Sequence, residues 1–136
     1  MIVIYTDGSA RQKDSTWIGA YAYAMYRNNK AISQYSVNLT PATVNICELV
    51  AVTHAIYDAI RLYPSEKIVI YTDSQYVVNG SKSALSMKTN KEAWKLFYDI
   101  SLNQNLEIHH VKAHDKDVRN KHVDSLAKEK LREMFQ

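Results

Sequence analysis

The hexapeptide Ile-Val-Ile-Tyr-Thr-Asp occurs twice in this chain, at residues 2–7 and again at 68–73. Each copy is an apolar, β-branched run ending on a carboxylate. Runs without polar alternation suit strands buried on both faces, as parallel sheets require. Side by side and parallel, the two strands bring Asp7 and Asp73 together at their carboxyl ends, where open α/β sheets place ligands. Two carboxylates about 4 Å apart repel by roughly 4 kcal/mol at an effective dielectric of 20. A cation between them, or a proton on one, must relieve that repulsion. A divalent metal is the leading expectation.

Other features bound the answer. The 136 residues fit one domain, expected to span residues 1–136. No apolar run approaches the ~20 residues that span a bilayer. No basic region followed by an apolar stretch marks a secretory signal. The single cysteine, Cys47, excludes an intrachain disulfide and fits a reducing, cytoplasmic setting. The net charge of +3 is uneven: through Gly80, six Lys/Arg face six Asp/Glu, and beyond it eleven face eight. Lys82, Lys88, Lys91 and Lys95 form one basic cluster, and Lys112, Lys116, Arg119 and Lys121 another. Such clusters are either solvated faces or contacts to a phosphate backbone.

Along the chain, strands are expected at 2–7, 17–26 and 30–39, with Arg27, Asn28 and Asn29 as a hairpin turn. Thr43 is placed to cap a long helix ending near Leu62, with Pro64 behind it as a stop. A buried strand at 67–73 leads to a short helix from Ser74 that Gly80 ends. A helix over 90–102, a strand over 106–112 and a final helix over 120–134 complete the order βββαβααβα. That order predicts an α/β fold: a five-stranded mixed sheet, three strands antiparallel and the rest parallel, with helices on both faces.

Plotting the first long helix at 100° per residue puts Cys47, His54, Asp58 and Arg61 on one polar stripe. Glu48 falls elsewhere, in line with Val52, Ala55 and Ala59 inside the apolar arc. A carboxylate there needs a partner, a metal or a raised pKa. Its place near the helix N-terminus is favoured by the dipole, which accounts for its axial position but not its side. Asp124 sits at the edge of the last helix's apolar stripe (Val123, Ala127, Leu131, Met134), where Lys128 offers it a salt bridge. His114 lies in an aperiodic stretch, either simply exposed or near the carboxylates, where it could transfer protons.

The segments Tyr5-Thr6-Asp7-Gly8-Ser9, Asn45-Ile46-Cys47-Glu48-Leu49, Tyr71-Thr72-Asp73-Ser74-Gln75-Tyr76-Val77, and Val111-Lys112-Ala113-His114 with Asn120 and Asp124, resemble type 1 ribonuclease H. Their order and spacing agree with that family over essentially the whole chain. The resemblance implies the ribonuclease H-like fold and a cytoplasmic, monomeric endonuclease. It would cut the RNA strand of RNA–DNA hybrids with two Mg²⁺ ions, Mn²⁺ being a substitute, and leave 5′-phosphate and 3′-hydroxyl ends. It implies Asp7, Glu48, Asp73 and Asp124 as catalytic metal ligands, with Asp7 bridging both ions. Asp124 would hold the ion on the water side, and Glu48 with Asp73 the ion near the leaving oxygen. His114 would assist proton transfer or product departure. Gly8, Ser9, Thr43, Asn45, Gln75 and Asn120 match positions that touch the hybrid. Outside that role Thr43 is a helix cap, Gly8 a tight turn and Asn120 an N-cap.

Three departures from the family pattern stand out. Ala10 to Thr16 replaces the Gly/Pro-rich loop that often follows Asp-Gly-Ser. Lys121 and Val123 stand where an acidic residue and an alanine are common. Only residues 81–89 separate Gly80 from the helix at Asn90, leaving no room for the basic, Trp-containing helix many relatives insert. Weakly held, salt-sensitive substrate is the expectation. Rival readings are weaker. Transposase and resolvase cores lack the Asp-Ser-Gln-Tyr and Lys-Ala-His stretches, and a non-catalytic binding domain would be expected to lose an acid. The start at Met1 favours a free-standing protein over a domain of a reverse transcriptase. The histidines His109, His110 and His114 lack the second cysteine or fourth ligand that a zinc site needs.

Overall fold

In the computed structural model, which describes residues 1–83, 89–112 and 117–136, the two hexapeptides lie side by side. Strands β1 (Ile2–Lys13) and β4 (Ile68–Thr72) pair in parallel, Ile2 opposite Ile68 and so on to Thr6 opposite Thr72. The repeat is therefore in register with itself. The other strands are β2 (Thr16–Arg27), β3 (Lys30–Leu39) and β5 (Leu106–His110), and the sheet order is β3-β2-β1-β4-β5. The β3-β2-β1 block is antiparallel, while β1-β4-β5 is parallel. The expected architecture of a five-stranded mixed sheet is what forms.

Helices α1 (Val44–Leu62), α2 (Gln75–Lys82), α3 (Lys91–Ser101) and α4 (Val118–Glu133) follow in the expected order. Even-numbered β1 residues face α1. Ile2 and Ile4 join Leu49, Val52, Ile56, Ile70, Val77 and Trp94 in the main core. Odd-numbered residues face α4, where Tyr5 and Ala24 pack on Val123. Helices thus cover both faces, as period-2 alternation in the strands demands.

Several boundaries differ from expectation. β1 runs six residues past Asp7, because the segment that stands in place of a Gly/Pro loop pairs fully with β2, ending at Lys13 opposite Thr16. A two-residue turn closes this hairpin, with Asp14 at φ 56°. The β2–β3 turn forms at Asn28 and Asn29, with φ of 52° and 66°. Two positive φ values in a row match the twist a tight hairpin requires, and Asn tolerates them. Gly80 does not end α2, which continues to Lys82; Gly80 is buried and its carbonyl accepts the Tyr98 hydroxyl at 2.5 Å. The last helix starts two residues early, because Asp117 rather than Asn120 caps it, accepting from the Arg119 and Asn120 amides.

The polar stripe of α1 is not a solvent face. Cys47 is fully buried, the Tyr21 hydroxyl meets His54 Nδ1 at 2.8 Å, and the Tyr23 hydroxyl donates to Asp58. Of the four residues, only Arg61 projects well into water.

Candidate active site

The carboxylates are delivered by different elements. Asp7 continues β1 beyond the last rung of the parallel ladder, and Asp73 immediately follows β4. Ser74 then caps α2, its Oγ accepting from the Val77 amide at 3.1 Å, while the Ser74 amide donates to Thr72 Oγ1. These two bonds turn the chain sharply and leave Asp73 at the carboxyl end of β4. Thr43 caps α1, accepting from the Ile46 amide. That cap fixes the first turns of the helix, which carry Glu48.

Ligand oxygens of Asp7, Glu48 and Asp73 all lie within 4.8 Å of one another. Asp7 is 4% and Glu48 6% exposed. Burial first, then the charge of Asp73 and a hydrogen bond with Asp124, pushes the Asp7 carboxyl up to about 8. Burial, then the charges of Asp7 and Asp73, raises Glu48 well above the usual carboxylate range. No Lys or Arg among the described residues forms an ion pair with these three. Glu48 Oε1 is buried with no hydrogen-bond partner. A buried acceptor without a donor costs about 1–3 kcal/mol. Three convergent hard-oxygen donors with an orphaned lone pair fit a divalent cation.

Asp124 approaches from α4 and acts on Asp7 through both a hydrogen bond and its charge. Its salt bridge to Lys128 forms as well, Nζ to Oδ2 at 3.0 Å. The structural role and the place beside the cluster therefore coexist. Lys128 is in turn held protonated by Asp124, with Asp7 and Asp73 contributing at longer range.

Of the residues matched to hybrid contacts, Gly8 and Ser9 directly follow Asp7, and the Gly8 amide donates to Asp7 Oδ1 at 2.9 Å. Gly8 has a packing role too. A Cβ there would stand 2.6 Å from the Glu48 backbone nitrogen, so its absence lets the α1 backbone approach β1. Thr43 and Asn45 are exposed at the start of α1, and Gln75 is exposed on α2, bonded to Asn79. Asn120 is buried, 4% exposed, with Oδ1 unpartnered. His114, Lys88 and Lys116 lie outside the described residues.

Sequence reasoning missed Asp117, which caps α4 and also accepts the Tyr5 hydroxyl at 2.8 Å. An Asp just before a helix was the available signal.

A model of the RNase H family matches residues 1–132. The chain belongs to the RNase H family. It is 29% identical to a ribonuclease H of Clostridium botulinum (strain Hall), across 97% of this chain and 96% of that one. With a ribonuclease H of Prosthecochloris aestuarii the identity is 30%, over 96% and 95%. The fold superposes on LC11-RNase H1, solved in complex with an RNA/DNA hybrid, with a TM-score of 0.84 over all of both chains at 19% identity. Among the described residues no helix is long and apolar enough to cross a membrane.

Proposed function

We propose that this family member is a metal-dependent endonuclease that hydrolyses the RNA strand of RNA–DNA hybrids, leaving 5′-phosphate and 3′-hydroxyl ends. The observation that carries the reading is the meeting of Asp7, Glu48 and Asp73 at the end of the parallel β1–β4 ladder, with Glu48 Oε1 unpaired. Asp7, Glu48, Asp73 and Asp124 would hold two Mg²⁺ ions, with Mn²⁺ able to substitute. Ions so placed supply charge neutralisation at the scissile phosphate and a nucleophile near neutral pH.

The chain's own residues do the positioning. The Gly8 amide donates to Asp7 Oδ1 and helps to fix the carboxylate's orientation. Lys128 steadies Asp124. Gly8, Ser9, Thr43, Asn45, Gln75 and Asn120 are assigned to contacts with the hybrid, through backbone and short polar groups of the kind that read 2′-hydroxyls in a wide, shallow minor groove. His114 is assigned the movement of a proton to or from the reacting oxygens, or the release of product. The whole chain would act as one catalytic domain, a cytoplasmic monomer with no membrane attachment.

The test uses labelled RNA–DNA hybrid, duplex DNA, duplex RNA and single-stranded RNA, with and without Mg²⁺. Cleavage confined to the hybrid's RNA strand, and lost in excess chelator, is expected. Asp7→Asn should abolish cleavage while retaining hybrid binding; wild-type turnover in that variant would refute the assignment.

A further inference from the structure

The repeated hexapeptide contains a second matched pair, Tyr5 and Tyr71, each two residues before its aspartate. In the parallel ladder they stand opposite one another, their rings stacked at 5.0 Å between centroids. Tyr5 is 8% exposed and is also met edge-on by Tyr26, whose own ring carries the Arg119 guanidinium. A ring packed on two sides cannot swing its hydroxyl away from a partner.

That partner is Asp117. The Tyr5 hydroxyl donates to Asp117 Oδ2 at 2.8 Å, while Asp117 Oδ1 accepts the Arg119 and Asn120 amides. One carboxylate thus joins β1 to the first turn of α4. At 100° per residue, Asp117, Asn120 and Asp124 fall within a stripe about 60° wide on the helix. Seven residues put Asp124 about 10 Å along the axis from the cap. Opposite that stripe, period 2 places Asp7 on the same strand face as Tyr5. Tyr5 with Asp117 and Asp7 with Asp124 are therefore two successive links between one strand and one helix.

The two links differ in kind. Asp7 and Asp124 are both acids, and as charged cation ligands they repel until an ion lies between them. A phenol donating to a carboxylate carries no such conflict. It holds α4 against β1 whether or not the two acids attract.

We propose that Tyr5 and Asp117 are positioning residues, whose bond fixes the height of α4 on β1 and so the place of Asp124 beside Asp7. This rests on the hybrid-cleavage reading above. Both residues act through Asp124 and neither is given a part at the reacting atoms.

Tyr5→Phe keeps the ring and its stack and removes the hydroxyl alone. Asp117→Ser keeps a helix cap but is too short to reach Tyr5. In each, kcat for labelled hybrid should fall about tenfold, with KM within about twofold. The double variant should lose no more than either single one, because both remove the same link. Asp117→Asn, long enough to cap the helix and meet the phenol, should recover most of the loss. Assays run well below each variant's melting temperature keep the comparison to folded protein. Mg²⁺ titration of the hybrid-free protein, followed through the Asp7 and Asp124 amide resonances, should give a dissociation constant raised about threefold or more in Tyr5→Phe. A kcat within about twofold of wild type in Tyr5→Phe, losses that multiply in the double variant, or an unchanged Mg²⁺ affinity overturns the proposal. If the wild type fails to cut hybrid, the hybrid reading falls and the Mg²⁺ titration alone decides the role of the Tyr5–Asp117 bond.

Discussion

Asp7 illustrates how a single residue is defined by its surroundings. In the unfolded chain it ionises near 3.8, but in the folded protein burial beside Asp73 pushes it up to about 8. Between those values the folded state holds a proton that the unfolded state has released. Stability must therefore fall as pH rises through that window, and Glu48, raised for the same reason, adds to the fall. In chelator, the melting temperature should be higher at pH 5 than at pH 8.5. Mg²⁺ should remove most of the difference, because a cation replaces the proton. Thermal melts at both pH values, with and without Mg²⁺, check this; a melting temperature that rises with pH in chelator would contradict it. At this scale Glu48 was legible, since a carboxylate inside an apolar arc has few explanations. Asn120 was not, because its burial depends on Asp117 starting the helix two residues earlier.

At the scale of elements, the approach of α1 to β1 sets the position of Glu48. Glycine at two positions, Gly8 on β1 and Gly19 on β2, lets α1 lie that close to the sheet. A Cβ at Gly8 would meet the Glu48 nitrogen at 2.6 Å, and one at Gly19 would meet Cys47 Sγ at 2.4 Å. The atom facing Gly8 is backbone, which cannot rotate away. Gly8→Ala should therefore push the first turns of α1 off the sheet and destabilise the protein by about 1–3 kcal/mol. It should also lower hybrid cleavage more than tenfold in protein that remains folded. Denaturant melts paired with activity assays separate the two effects, and full activity would show that α1 yields without moving Glu48. The hairpin at Asn28 and Asn29 was readable from turn chemistry alone. The β1–β2 hairpin was not, because residues 10–16 carry no strand alternation and gain their pairing from β2.

Across the whole molecule, α1, α2 and α3 cover one face of the sheet, and α4 packs over β1, β2 and β3 on the other. The candidate site lies where the parallel β1–β4 ladder ends, at the carboxyl end of β4 and midway along β1, which continues paired with β2 alone. Lys91, exposed, opens α3 directly after Asn90, while Lys95 is engaged by Asp99 at 3.0 Å. Lys91 is thus the better candidate for a phosphate contact. Lys91→Ala should weaken hybrid binding modestly and reduce the slope of log K against log salt by ~1. A salt titration of hybrid affinity measures this, and an unaltered slope removes Lys91 from the interface.

The sequence alone pointed to two strands buried on both faces, because the repeated apolar runs carry no polar alternation; that they pair in register was decided by the fold. The sequence also singled out Asp7, Asp73 and Glu48, since the two aspartates end those runs and Glu48 sits on an apolar helix face. Tertiary structure decided the rest. The distance between carboxylates and the burial of the Cys47–His54–Asp58 stripe against β2 arise from contacts between residues far apart in the chain. Local periodicity records which way a side chain faces on its own element. It carries no information on what stands opposite.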